Sequence, residues 1–179
     1  EGSEKNVLER FYLCAKKFNS KNIIRITADC PLSDPQIIDK FTQIFKNKNV
    51  DYLSNGNPPT FPDGFDVEIF TFNALEKSYF SAKSLYEKEH VTPYIKKNIF
   101  FSKYNVINKI DLSNIRLTVD YVEDLIVVKK IISQIKNKAD YSLENVIKII
   151  NKDKEIMKLN SIYKRNTGSR NSENQKLWE

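Results

Sequence analysis

Two aspartates follow predicted strands, and each stands directly before a helical segment. Asp29 comes after the β-branched segment 23–28, and Asp120 comes after segment 115–119. Ligands of parallel α/β sheets bind outside the carboxyl ends of the strands, so we expect both carboxylates at one rim of the sheet. Mg²⁺ usually takes one or two protein carboxylates and fills its other positions with water and phosphate oxygens. The pair is therefore a candidate metal site; the alternative is that both residues only cap helices.

A second acidic set follows a turn in segment 61–68, which reads FPDGFDVE. Asp66 and Glu68 are two residues apart, so on a strand they would face the same side of the sheet. Such a pair beside a glycine turn could accept hydrogen bonds from a polyhydroxylated ligand, or it could join a metal site. The alternative is ordinary turn chemistry around Asp63, followed by a solvated strand face.

His90 is the only histidine of the chain. A lone histidine is more often a hydrogen-bonded structural residue than a catalyst. No serine or cysteine nucleophile stands in an identifiable arrangement with it, so a hydrolase triad is not supported. Arg25 and Arg116 both lie on predicted strands, where an unpaired guanidinium is costly to bury. We expect each of them to meet a carboxylate or a phosphate near the rim of the sheet.

Helical and strand patterns alternate along the chain, and these elements must position the candidate residues. The predicted helices cover 7–18, 35–45, 73–82, 86–98, 122–135 and 142–150, and the predicted strands cover 22–28, 50–53, 66–72, 104–110 and 115–119. This alternation predicts a layered α/β domain with a mainly parallel sheet, in which two stretches are antiparallel or edge strands.

Composition argues against several functions. The chain has only Gly 4, and neither G-x-G-x-x-G nor a P-loop is present. Lys+Arg 29 against Asp+Glu 23 gives a net charge of +6, but the two signs alternate, which disfavours nucleic-acid binding. No apolar run is long enough for a membrane span, and no signal peptide opens the chain. Cys14 and Cys30 lack a C-x-x-C spacing, so we expect a cytoplasmic protein without disulfides.

Four segments, in this order and at this spacing, resemble the cytidylyltransferase family. They are residues 25–32 (RITADCPL), 61–68 (FPDGFDVE), 87–95 (EKEHVTPYI) and 116–125 (RLTVDYVEDL). The chain is similar to the spore-coat polysaccharide branch of that family, which is itself similar to acylneuraminate and 3-deoxy-manno-octulosonate cytidylyltransferases. The resemblance implies an α/β, Rossmann-like three-layer nucleotidyltransferase fold of the GT-A-like kind, with a mixed, mainly parallel sheet.

The same resemblance implies a reaction and a set of site residues. A sugar hydroxyl, such as that of a nonulosonic acid, would attack the α-phosphorus of CTP and yield a CMP-sugar and pyrophosphate. Asp29 and Asp120 match the family positions that hold Mg²⁺, so they would be both metal ligands and catalytic residues. His90 could assist deprotonation of the hydroxyl. The substrate-binding residues would be Arg25, Asp66, Glu68, Glu89, His90 and Arg116.

The resemblance also sets expectations for domain organisation and partners. Family members open with a strand and a loop of the G-S-x-R-L-P-G-K type, which holds the nucleotide phosphates and reads the base; no such loop is found here. We therefore expect an N-terminally incomplete nucleotidyltransferase domain over 1–160 and a linker or disordered tail over 161–179. The segment 172–179 resembles the entry into a class-III aminotransferase domain, which suggests a fusion. Related enzymes often form dimers, so a homodimer is a further hypothesis.

Three other functions stay open on the sequence alone. A nucleotide-sugar glycosyltransferase would use Asp66 and Glu68 as its metal-binding D-x-D motif. A non-catalytic partner or interaction module would need neither acidic set. A basic RNA-binding module would show salt-sensitive binding to RNA.

Overall fold

The computed structural model describes residues 2–136 and 140–165. Within them, seven α-helices, four strands and one 3₁₀-helix follow one another along the chain. The helices are α1 (Val7–Lys17), α2 (Pro35–Lys48), α3 (Phe72–Ser81), α4 (Leu85–His90), α5 (Pro93–Lys97), α6 (Val122–Gln134) and α7 (Leu143–Lys152), and the 3₁₀-helix is Lys154–Lys158. The strands are β1 (Asn22–Arg25), β2 (Tyr52–Ser54), β3 (Glu68–Thr71) and β4 (Lys103–Asn105).

The four strands of the described residues form one mixed sheet in the order β1-β3-β2-β4. β3 is antiparallel to both of its neighbours, whereas β2 and β4 are parallel. Three strands therefore run in the same direction and β3 runs against them. This confirms the predicted α/β class with a mixed, mainly parallel sheet.

The sheet is covered on both faces because adjacent strand residues point to opposite sides. Leu53 and Ile69 belong to a core with α2, α6 and α7, whereas their neighbours Tyr52 and Phe70 belong to a second core with α1, α3 and α5. The two apolar clusters give the three layers that the sequence predicts: helices, sheet, helices.

Local capping chemistry explains where several helices begin. Asp34 accepts a hydrogen bond from the backbone N–H of Gln36, and Pro35 fills the first turn of α2. Ser142 caps α7 in the same way. The helix predicted from residue 73 begins at Phe72 in the structure, and its cap is Thr71, whose hydroxyl accepts from the N–H of Ala74.

Several predicted elements differ from the structure, and the predicted strands 22–28 and 66–72 are shortened to β1 and β3. The helical stretch 86–98 is split into α4 and α5, with Val91 at a positive φ of 70° between them. The predicted strand 104–110 is only the short β4. The predicted strand 115–119 is wrong, because this segment bonds to loops rather than to a strand of the described residues: Leu117 donates to the carbonyl of Asp63, and Val119 to that of Asp29.

No helix in the described part of the chain is both long enough and apolar enough to cross a membrane. Of the tail predicted over 161–179, residues 166–179 lie outside the described residues. Residues 161–165 are described and contact the domain. The predicted boundary between domain and tail stays a prediction.

Candidate active site

A cleft of about 720 Å³ collects most of the predicted site residues. Those that line it are Arg25, Asp29, Asp66, Glu68, Glu89, His90 and Asp120. Of the predicted set, Arg116 alone does not line this cleft. Its lining includes polar groups from β1, β2, α4, α5 and the loops that follow β1 and precede α6, so residues distant in sequence share one surface.

Asp29 and Asp120 are brought together by backbone contacts between their two loops. The carbonyl of Asp29 accepts a hydrogen bond from the N–H of Val119 at 2.9 Å and from the hydroxyl of Thr118 at 3.3 Å. Val119 directly precedes Asp120, so the two aspartates are held in adjoining backbone segments. Both residues line the cleft. β1 ends at Arg25, three residues before the predicted end of this strand, so Asp29 lies four residues beyond the strand.

The buried side chain of Arg116 holds the Asp120 carboxylate in place. The Arg116 side chain is only 6% exposed, and its Nη2 donates to Asp120 Oδ2 at 2.7 Å. The same guanidinium makes a two-point contact with buried Asp124, at 2.9 and 2.8 Å. Arg116 thus meets carboxylates, as the strand position predicts. We assign it to positioning Asp120 rather than to substrate contact.

Asp124 organises the segment that carries Asp120, and the sequence reasoning did not single it out. Its Oδ2 accepts the backbone N–H groups of Asp120 and Tyr121, and its Oδ1 accepts from the side-chain amide of Asn160. Burial alone would raise the pKa of Asp124, but these hydrogen bonds and Arg116 lower it. The available signal was an aspartate in the first turn of a predicted helix, three residues after its cap.

The acidic loop 61–66 packs directly on the backbone of the Asp120 segment. Gly64 has φ +100°, and a β-carbon there would lie 2.6 Å from the carbonyl carbon of Leu117 and from the nitrogen of Thr118. Only glycine fits this close approach without a backbone shift. The glycine turn therefore places Asp63 beside Arg116, with Asp63 Oδ2 3.1 Å from Nη1.

Asp66 and Arg165 form an ion pair at the cleft. Asp66 precedes β3 rather than lying on it, and its Oδ1 accepts from Arg165 Nη2 at 2.5 Å. Arg165 also donates to the backbone carbonyl of Phe61 at 2.9 Å. The sequence reasoning missed Arg165, because 99 residues separate it from Asp66.

We call Asp63, Asp66, Arg116, Asp120 and Arg165 the Asp63 cluster. Asp63 itself is buried, and burial raises its pKa to about 6. Arg165 and Arg116 act against this shift, whereas the nearby Asp66 and Asp120 add to it. This wall of the cleft therefore carries more carboxylates than its two arginines neutralise.

A second group, the Glu68 cluster, consists of Arg25, Tyr52, Glu68, Thr92 and Lys96. Glu68 Oε1 accepts from the hydroxyls of Tyr52 and Thr92 and lies 2.7 Å from Lys96 Nζ, while Oε2 lies 2.6 Å from Arg25 Nη1. Burial alone would raise the pKa of Glu68, but Lys96 and Arg25 lower it to about 2. Glu68 is a charged, fully partnered group that fixes two cations at the cleft.

His90 lines the cleft, and its Nε2 atom lacks a hydrogen-bond partner among the described residues. This Nε2 atom is buried, and the nearest carboxylate oxygen, of Glu89, is 3.9 Å away. The ring packs against Tyr86, with 4.6 Å between ring centroids. Burial lowers the pKa of His90 below its ordinary value, although Glu89 acts in the opposite direction. A neutral imidazole can accept a proton there.

The carboxylate pair fits a magnesium ion better than a transition metal. In the described residues, no group of three or more His, Cys, Asp or Glu side chains is placed to hold a metal. Mg²⁺ does not need such a cage, because it usually keeps several waters and binds one or two carboxylates together with substrate phosphates. Asp29 and Asp120 both line the cleft and carry hard oxygen donors of the kind that Mg²⁺ prefers.

The fold and the cleft define a class: a three-layer α/β protein with paired aspartates at the edge of a mixed sheet, typical of enzymes that handle nucleotides. Sequence comparison makes this specific. The model of the family described as Cytidylyltransferase matches residues 1–126. The chain belongs to this cytidylyltransferase family, which confirms the resemblance seen in the four segments.

Individual relatives agree with this assignment. A cytidylyltransferase structure from Leptospira borgpetersenii superposes with a TM-score of 0.85 at 35% identity, covering 92% of this chain and 70% of that one. An uncharacterized protein of Methanocaldococcus jannaschii is 36% identical over 89% of this chain. The spore coat polysaccharide biosynthesis protein SpsF of Bacillus subtilis is 28% identical over 85% of this chain. The chain spans 65% and 64% of the lengths of these last two relatives.

Proposed function

We propose that this chain carries the catalytic carboxylates of a cytidylyltransferase, which transfers CMP from CTP to a sugar for surface polysaccharide biosynthesis. The observation that carries the proposal is the meeting of Asp29 and Asp120 on one cleft wall, in a chain of this family. The likeness to SpsF supports polysaccharide synthesis as the setting. A nonulosonic acid or a related sugar is the proposed acceptor, and the cytoplasm, where CTP is made, is the proposed location.

In the proposed reaction, the oxygen of a sugar hydroxyl forms a bond to the α-phosphorus of CTP. The bond from that phosphorus to the bridging oxygen of the β-phosphate breaks, and pyrophosphate leaves. Asp29 and Asp120 would hold Mg²⁺, which neutralises phosphate charge when bound. Arg116 and Asp124 keep the Asp120 carboxylate aimed at the cleft.

The acceptor side of the cleft is assigned to His90, Glu89 and Arg25. The unpartnered Nε2 of neutral His90 is suited to take the proton released by the attacking hydroxyl. Glu89 is exposed at the cleft and can accept hydrogen bonds from sugar hydroxyls. Arg25, fixed by Glu68, offers its remaining N–H groups to an acidic group of the sugar.

The glycosyltransferase alternative is disfavoured by the partners of Glu68. A D-x-D motif needs carboxylate oxygens free for a metal, but both oxygens of Glu68 already accept from cations or hydroxyls. Acidic and basic residues alternate along the sequence, which disfavours the RNA-binding alternative. A homodimer and a fusion to an aminotransferase-like domain stay predictions.

The proposal is tested by measuring pyrophosphate release from CTP and Mg²⁺ with a panel of nonulosonic acids and related sugars. The protein should be assayed at its full natural length, since the chain spans about two thirds of its relatives. We expect turnover that Asp120→Asn lowers at least about a hundredfold. Asp39→Asn, an exposed carboxylate on α2 outside the cleft, is the matched control. Absence of turnover with every sugar, or an unaffected Asp120→Asn, would contradict the proposal.

A further inference from the structure

Three consecutive residues after the 3₁₀-helix connect the two loops that form the acidic wall of the cleft. They are Tyr163, Lys164 and Arg165, which we call the clamp. The Tyr163 ring stacks on Tyr121, with 3.9 Å between centroids and 8° between planes, and its hydroxyl donates to Glu123 at 3.0 Å. The clamp therefore contacts the segment that carries Asp120.

The same three residues reach the opposite loop. The carbonyl of Lys164 accepts from Arg116 Nη1 at 3.3 Å. Arg165 then donates to the carbonyl of Phe61 and to the carboxylate of Asp66. The Arg165 side chain is 14% exposed and lines the cleft. Its contacts therefore join loop 61–66 to the Asp120 segment at the cleft itself.

The charge of this wall makes the clamp more than a packing contact. Asp29, Asp63, Asp66 and Asp120 all line the cleft. Arg116 is committed to Asp124 and Asp120, whereas Arg165 is the guanidinium that pairs with Asp66. Without Arg165, an unpaired Asp66 carboxylate would face any polyphosphate entering the cleft. Like charges repel strongly in such partly desolvated surroundings.

We propose that Arg165 is a positioning residue of the active site, which fixes Asp66 and loop 61–66 so that the acidic wall accepts a polyphosphate. Arg165 lies beyond residues 1–126, the part matched by the family model. The identity of the polyphosphate rests on the proposed function, whereas the binding of a polyphosphate at this wall does not.

The geometry explains why arginine is needed at this position. Its planar fork donates to two acceptors in different directions, a backbone carbonyl and a carboxylate. A lysine keeps the charge but has a single ammonium, which cannot reproduce both contacts at once. Arg165→Lys should therefore retain part of the effect, and Arg165→Ala none of it.

The test is calorimetric binding of inorganic pyrophosphate in the presence of Mg²⁺, to the same full-length protein. We expect Arg165→Ala to weaken pyrophosphate binding about tenfold or more, and Arg165→Lys to weaken it less. Arg10→Ala, which removes an exposed arginine on α1 outside the cleft, should bind as the unmutated protein does. Circular dichroism and thermal unfolding check that each variant is folded.

A double variant separates charge compensation from mere packing. If Arg165 acts by neutralising Asp66, Arg165→Ala combined with Asp66→Asn should recover most of the lost affinity, whereas a packing defect would persist. Equal binding by Arg165→Ala and Arg10→Ala, absence of recovery, or no pyrophosphate binding by the unmutated protein would each overturn the inference. Loss of CMP transfer to every sugar, with this binding pattern intact, would overturn the proposed function alone.

Discussion

Two buried carboxylates of the same cleft have pKa values that are shifted in opposite directions. Burial pushes the pKa of both Glu68 and Asp63 upward. At Glu68, two cations and two hydroxyls reverse that effect and lower the pKa to about 2. At Asp63, the two arginines are shared with neighbouring carboxylates, and the pKa stays raised at about 6. The balance of charged and hydrogen-bonding partners, rather than burial itself, decides in which direction the pKa of each carboxylate is shifted.

The contrast distinguishes a cluster that stabilises the fold from a cluster that belongs to the proposed reaction site. In the Glu68 cluster, both carboxylate oxygens of Glu68 have partners, and these contacts tie β1, β2, β3 and α5 together. The Asp63 cluster holds an excess of carboxylates on a wall that contains Asp120. Groups with perturbed, incompletely compensated charge are typical of sites that bind cationic ligands or perform catalysis.

Removing the Glu68 carboxylate should cause the largest loss of stability. Glu68→Ala leaves Arg25 and Lys96 without their shared partner, and breaking a buried ion pair in this way costs about 3–5 kcal/mol. Urea unfolding measures the loss. Glu144→Ala breaks the exposed Glu144–Lys148 pair on α7 and should change the free energy of unfolding by less than about 1 kcal/mol. Similar effects of the two variants would contradict the structural role of Glu68.

The glycine turn under the Asp63 cluster gives the next largest effect. Gly64→Ala combines a positive φ with a β-carbon 2.6 Å from the backbone of Leu117 and Thr118, so it should cost at least about 2 kcal/mol of unfolding free energy. Gly56→Ala is the matched control, because its β-carbon would meet only Asp66 Oδ1, at 3.8 Å. If Gly64→Ala were as stable as Gly56→Ala, loop 61–66 would not pack on the Asp120 segment as described.

The two carboxylates should shift stability with pH in opposite directions. Glu68, with its pKa lowered from 4.5 to about 2, stabilises the fold fully above pH 4.5 and loses that contribution as pH falls toward 2. Asp63, with its pKa raised from 3.8 to about 6, destabilises the fold fully above pH 6 and ceases to do so below pH 3.8.

Asp63→Asn therefore offers the smallest but most diagnostic change. It should raise the free energy of unfolding by about 1–2 kcal/mol at pH 7.5, and the gain should disappear below about pH 4. Thermal unfolding across this pH range measures it, with exposed Asp39→Asn on α2 as control. A loss of stability at pH 7.5 would mean that Arg116 and Arg165 compensate the Asp63 charge more fully than the contacts indicate.

The sequence predicts the layers of this fold, because these follow from local periodicity and from the order of elements. It also predicts that Asp29 and Asp120 lie close together, but the structure joins them through loop backbone contacts rather than through strand ends. The sequence does not predict that segment 115–119 pairs with loops, since that depends on where the Asp63 and Asp29 carbonyls lie. Tyr52, Lys96 and Arg165 were also missed. Their roles come from contacts with Glu68 and Asp66, which only the folded chain brings near them.

The resemblance assigns Asp66 and Glu68 alike to the acceptor sugar, but their surroundings differ. Glu68 is enclosed by four donors, whereas Asp66 is 37% exposed and paired with Arg165. Spacing two residues apart could not show this, because Asp66 lies before β3 and Glu68 begins it. The residue types indicate where the site is, whereas the hydrogen-bonding and charged partners of each residue define its role there.

We propose that Asp29 and Asp120 hold the metal and that the Asp66-x-Glu68 pair does not. Calorimetric titration with Mn²⁺, used as a probe for Mg²⁺, tests this most directly. Loss of a partner one shell away from a metal already costs 10–100-fold in affinity, so Asp29→Asn and Asp120→Asn should each weaken binding at least about tenfold. We expect Asp66→Asn to have a much smaller effect. Lost binding in Asp66→Asn, with binding retained in the other two variants, would contradict the account.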